Sequence, residues 1–77
     1  MNKPRRKRLE EAVALLQDAM AIIEEVRDEE QEAFDNLPES FQYTERGEQM
    51  EEYISILEEY MDYISDAVDN FDEIVNS

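Results

Sequence analysis

The chain has no cysteine, no histidine and no tryptophan, and only one glycine and two prolines in 77 residues. Without cysteine there is no disulfide and no thiolate metal site. Without histidine the usual general base at neutral pH and the usual transition-metal ligand are missing. Ser-His-Asp and Cys-His nucleophilic sites go with it, as does a di-iron bundle built on Glu-x-x-His. One glycine cannot make a phosphate-cradling loop. No apolar run approaches the ~18–20 residues that span a bilayer. The basic start of the chain leads into Leu9-Glu10-Glu11 rather than an apolar stretch, which is not the pattern of a secretory signal. The expectation from these absences is a protein that is not an enzyme, holds no cofactor and no metal, and works in the cytoplasm of a bacterial host cell.

Positive charge is scarce as well. Seven Lys and Arg stand against 22 Asp and Glu, for a net charge of −15. Five of the seven, Lys3, Arg5, Arg6, Lys7 and Arg8, fall in the first eight residues, so all 22 acids lie in a body whose only cations are Arg27 and Arg46. Such a body is repelled by nucleic acid and by anionic membranes. The sequence therefore predicts no direct nucleic-acid binding by the body and no membrane partner. The basic segment alone can meet a phosphate.

What is present is helical period. Leu9, Val13, Leu16, Met20, Ile23 and Val26 recur in steps of three and four, and Phe34 resumes the stripe after Arg27 and Glu30 interrupt it. Ala12 and Ala19 share that face, and Leu15 and Ile22 widen it on one flank. A second segment repeats in sevens, with Met50, Leu57, Ile64 and Phe71 in one column, Tyr53, Tyr60, Ala67 and Ile74 in the next, and Ile54, Met61, Val68 and Val75 in a third. Ile56 and Tyr63 lie on a further flank.

Between the two segments, Pro38 pushes Leu37 out of the α region, which ends the first helix near Asn36. Pro38 can itself open a new turn. Thr44 is the expected N-cap of the second helix, its hydroxyl accepting an orphan N–H, with Glu45 and Glu48 at the positive end of the dipole. The fold expected is all-α: one domain, an antiparallel two-helix hairpin with a basic N-terminal arm at 1–8, helix 1 at 9–36, a connector at 37–44 and helix 2 at 45–75. The apolar stripes are wider than one partner helix covers. That predicts a homo-oligomer, a dimeric four-helix bundle or something larger.

Three groups of side chains bear on function. The carboxylate pairs Glu29/Glu32 and Glu59/Asp62 resemble the Mg²⁺-holding pairs of all-α nucleotide pyrophosphatases. However, the sequence holds eight acid pairs at i,i+3, against about six expected from such an acidic composition, so the pairs single out no site. Tyr53, Tyr60 and Tyr63 lie along one helix, either as a rim of the core with wet hydroxyls or as a pocket for an aromatic, anionic nucleotide. Phe41 and Tyr43, two aromatics in a connector, either plug the end of the core or form a recognition tip with Arg46. The acidic surface is the strongest signal. Duplex DNA carries one negative charge per ~1.7 Å of axis, and 22 acids on a hairpin about 45 Å long carry one per about 2 Å. Such a surface matches a DNA-binding groove, or serves more generally as an acidic contact surface. Glu51, Glu52, Glu58 and Glu59 are one cluster of it.

The stretch Arg27 to Ser40, with Glu45 to Glu51, resembles small acidic helical proteins of phages and mobile elements in Gram-positive bacteria, a group without an assigned activity. In charge and size the chain is also similar to DNA-mimic anti-restriction and anti-CRISPR inhibitors, by composition and not by motif. The resemblance implies a phage setting. In that setting the protein is expected to bind and block a protein partner, such as a nucleic-acid-binding or host-defence protein, with Phe41, Tyr43 and Arg46 as anchors and the acids of Glu51, Glu52, Glu58 and Glu59 as contact surface. The alternatives are an oligomeric sponge for a small anionic nucleotide, a structural or assembly protein, and, more remotely, the Mg²⁺-dependent pyrophosphatase.

Overall fold

A computed structural model describes all residues, 1–77. The chain is helical throughout, with α1 at Lys3–Asp35, α2 at Glu39–Gln42 and α3 at Glu45–Val75, and no strand. Asn2 caps α1: its side-chain oxygen accepts the Arg5 N–H at 3.0 Å, and Pro4 sits in the first turn where its missing N–H costs nothing. The basic residues expected as a separate arm are therefore the first two turns of α1. At the other end the Asn36 N–H donates to the Glu32 carbonyl at 3.0 Å, and the Leu37-Pro38 step stops the helix.

The connector is itself one helical turn. The N–H groups of Phe41 and Gln42 donate to the Pro38 carbonyl at 2.8 and 3.3 Å, and the Thr44 carbonyl accepts the Glu48 N–H at 2.9 Å to start α3. The Thr44 hydroxyl does not cap that helix, contrary to the expectation from sequence. It donates backwards to the Phe41 carbonyl. Gln42 turns inward, and its Nε2 donates to the carbonyls of Phe34 at 3.3 Å and Leu37 at 3.2 Å. Phe34 is in the last turn of α1, its carbonyl also accepting the Leu37 N–H at 3.0 Å, and Leu37 lies just beyond the helix, where helical partners run out.

α1 and α3 pack along their length. Each is about 50 Å long at ~1.5 Å per residue. The nine residues between Asp35 and Glu45 reach at most ~30 Å, too short to return the chain to its starting end, so the two helices run antiparallel. The molecule measures 58 × 15 × 13 Å. Its core is a single line of side chains. Val13, Met50, Ile54 and Val68 are buried, and Leu16, Met20, Ile23, Phe34, Leu57, Met61, Ile64 and Phe71 are half-buried. Arg27 occupies the same line, half-buried, with its guanidinium 2.9 Å from Asp28 and 3.8 Å from Glu24. Gly47 closes the line at the connector. A Cβ there would stand 2.3 Å from the Gln42 carbonyl oxygen, closer than any side chain tolerates.

Candidate functional site

Reversing one helix of a pair mirrors its flanks, so the residues that follow core positions share one broad face on both helices, and those that precede core positions share the other. A shallow groove of about 310 Å³ displays the first of these faces. Gln17, Ala21 and Glu24 of α1 meet Asp62 and Ser65 of α3 across Met20 and Met61. The same register puts Glu10, Asp28, Glu48, Glu51, Glu58, Asp69 and Asp72 on this face. The positions furthest from the core line are acidic without exception after Pro4: Glu11, Asp18, Glu25 and Glu32 on α1, and Glu45, Glu52, Glu59, Asp66 and Glu73 on α3.

The opposite face has a different character. It carries Ala12, Leu15, Ala19, Ile22, Val26 and Ala33 from α1, and Tyr53, Ile56, Tyr60, Tyr63, Ala67 and Ile74 from α3. The large side chains among these are exposed, from 39 % for Ile74 to 69 % for Leu15. The Tyr60 and Tyr63 rings lean on each other with centroids 5.4 Å apart, and the Tyr63 hydroxyl reaches the Glu59 carboxylate at 3.5 Å. Of the 22 acids, Glu29 alone falls on this face. Three arginines, Arg5, Arg8 and Arg46, bound its ends. The tyrosines form a wet-edged stripe, and none of the surface grooves is lined by them.

The residues singled out from sequence divide between two places. Glu51 and Glu58 lie on the acidic face and Glu52 and Glu59 on its outer edge, all exposed. Phe41 and Tyr43 are at the connector end, 55 % and 77 % exposed. They do not plug the core. Leu37, Gln42 and Gly47 do that. Phe41 and Arg46 come together, lining a groove of about 550 Å³ with Leu37, Pro38, Thr44 and Glu45, while Tyr43 stands outside it. The pairs Glu29/Glu32 and Glu59/Asp62 do not converge, and no three acidic side chains meet in a way that holds a metal ion. No helix is long and apolar enough to cross a membrane.

No protein-family model matches the chain, and neither a curated protein nor a solved structure is significantly similar to it. The functional reading therefore rests on these surfaces. Reading the sequence alone gave no role to Gln42 or Gly47. The one available signal was the position of the sole glycine, three residues inside a helix start rather than in the loop before it.

Proposed function

We propose that this protein is a non-enzymatic interaction protein that binds and blocks a basic, nucleic-acid-binding or host-defence protein through its acidic helical surfaces, in the phage or mobile-element setting that the sequence resemblance implies. It acts as an oligomer of helical hairpins. The observation that carries the reading is the acidic row on each helix. Acids recur there every seven residues without a break, a spacing of about 10 Å, and a second acidic set runs beside them on the groove face. Rigid helices hold this row in fixed order. A fixed array of one sign steers a basic groove into register and raises the association rate in a salt-dependent way.

Charge alone rarely holds a complex, because hot spots are aromatic or arginine anchors. Phe41, Tyr43 and Arg46 at the connector end supply such anchors. Charge then sets the association rate and the tip sets the dissociation rate. Affinity capture from host lysate at low and high salt, followed by kinetics on the captured partner, tests this division. Reversing Glu51, Glu52, Glu58 and Glu59 to Lys is expected to slow association at least tenfold with the helical content intact, and Tyr43→Ala to speed dissociation. Unchanged binding by the reversed variant at physiological salt would reduce the acidic surface to a solubility coat.

A further inference from the structure

The acid-poor face has a distinctive composition. In the column next to the core line α1 presents Ala12, Ala19, Val26 and Ala33 and α3 presents Tyr53, Tyr60, Ala67 and Ile74, while Leu15 and Ile22 of α1 and Ile56 and Tyr63 of α3 lie further out. Leu15, Ile22, Val26, Tyr53, Ile56, Tyr60, Tyr63 and Ile74 are each between 39 % and 69 % exposed. At ~150–250 Å² for a whole aromatic side chain, the exposed fractions present roughly 800 Å², the share one partner contributes to a stable protein–protein interface.

From this we infer that the face is covered by a second copy of the same chain, with α3 of each copy lying over α1 of the other and both connectors at the same end. Three observations on this chain select that occupant and that orientation. The first is the core. Five of 77 residues are buried, and chains below about 80 residues need a staple beyond one core. A cover needed whenever the chain is folded is supplied most directly by the chain itself. The second is shape. Ala12 and Ala19, seven residues apart, leave hollows beside the core line of α1, and large side chains such as Tyr53 and Tyr60 come over that helix when α3 lies over α1. A two-fold axis parallel to the helices gives that pairing, whereas an axis across them stacks alanine on alanine. Either axis leaves neighbouring helices antiparallel, with dipoles alternating, so the side chains decide between them.

The third observation is charge. Two copies of a chain at −15 repel, but only Glu29 of the acids is on this face, so the interface forms without opposing carboxylates. In the parallel-axis arrangement Arg5 and Arg8 lie over the C-terminal turn of the second copy's α3, the negative end of that helix's dipole, where no basic residue stands. Arg46 lies over the end of the second copy's α1, on the side where its Glu29 stands. The inference rests on the oligomeric part of the proposed function and not on its acidic part, since the acidic face and both outer edges stay in solvent.

Sedimentation equilibrium and a distance measurement test it together. The wild-type chain at ~50 µM is expected to show twice the 9.2 kDa chain mass; a single-copy mass at that concentration overturns the inference. Because the chain has no cysteine, Ser40→Cys carries one spin label at each connector. The label-to-label distance is expected below about 30 Å, given helix spacings of ~8–10 Å. A dimer with labels some 58 Å apart, the length of the molecule, overturns the orientation. Tyr60→Ala is expected to weaken dimerisation at least tenfold, and Ala21→Glu on the opposite face to leave it unchanged; the reverse order assigns the interface to the acidic face and overturns the inference. Charge reversal at Glu51, Glu52, Glu58 and Glu59 is expected to leave the dimer intact, so loss of partner binding in that variant and loss of the dimer remain separate outcomes.

Discussion

Gly47 shows how much one residue decides at the connector. It sits in the first turn of α3 with ordinary helical backbone, so it is not there for conformational freedom. It is there because the Gln42 carbonyl oxygen occupies the place of a Cβ. In a plain helix Gly→Ala stabilises by up to ~1 kcal/mol. Here Gly47→Ala must displace α2, and overpacking of that kind costs ~1–3 kcal/mol. The expected outcome is a fall in Tm of several degrees in a thermal melt at fixed concentration; a rise would mean that α2 does not press on α3. Gln42 works on the same joint from the other side. Gln42→Glu removes both donors from the Phe34 and Leu37 carbonyls and sets a negative charge at the negative end of α1, for an expected loss of about 1–2 kcal/mol by chemical denaturation.

At the scale of elements, Arg27 interrupts the apolar line of α1. Its ion pairs run to Glu24 and Asp28, whose side chains are 58 % and 63 % exposed, and such wet pairs contribute little. A leucine there would bury apolar area against α3. Arg27→Leu is therefore expected to raise stability by about 1 kcal/mol, read as a higher Tm, while loosening the register that a polar core residue enforces. Unchanged or lower stability would show that the guanidinium's pairs matter more than its exposure suggests. The end of α1 at Asn36 before Leu37-Pro38 and the start of α3 after Thr44 were legible in the sequence as local signals, whereas the basic run at 3–8 was set apart from α1 as an arm although Asn2 caps it into the helix. The wide apolar stripes were legible too, down to the extra flank at Ile56 and Tyr63. That those flanks and the one at Leu15 and Ile22 fall on the same side was not, because it follows from the antiparallel pairing of two helices and not from the period of either. The choice between core plug and exposed tip for Phe41 and Tyr43 was not legible for a similar reason: hydrophobicity does not reveal that a glutamine amide and a glycine already close that end.

On the scale of the whole molecule, charge works against folding. Acids on the outer edges stand about 10 Å apart along each helix, close to the Debye length of ~10 Å at 0.1 M salt. Added salt screens this repulsion. Tm is expected to rise with NaCl, steeply at low ionic strength and little above ~0.5 M. A Tm that falls with salt would mean that ion pairs outweigh repulsion. Ile64→Asp puts an unpaired charge on the half-buried core line and is expected to unfold the chain, a cost of several kcal/mol visible in circular dichroism.

The outline of 58 × 15 × 13 Å makes the molecule a rod about four times as long as it is wide. Its radius of gyration is 17.4 Å, against about 11–12 Å for a compact chain of the same length. By that scaling 17.4 Å belongs to a compact chain roughly three times as long. A single copy therefore travels through a gel-filtration column like a much heavier globule, and elution volume alone would report an assembly where none exists. Rotation is anisotropic for the same reason. The N–H bonds of α1 and α3 lie close to the long axis and reorient chiefly by slow end-over-end tumbling, so their ¹⁵N relaxation rates should form one narrow population. Connector amides such as those of Tyr43 and Thr44 point elsewhere, and should stand apart from that population even when the connector is rigid.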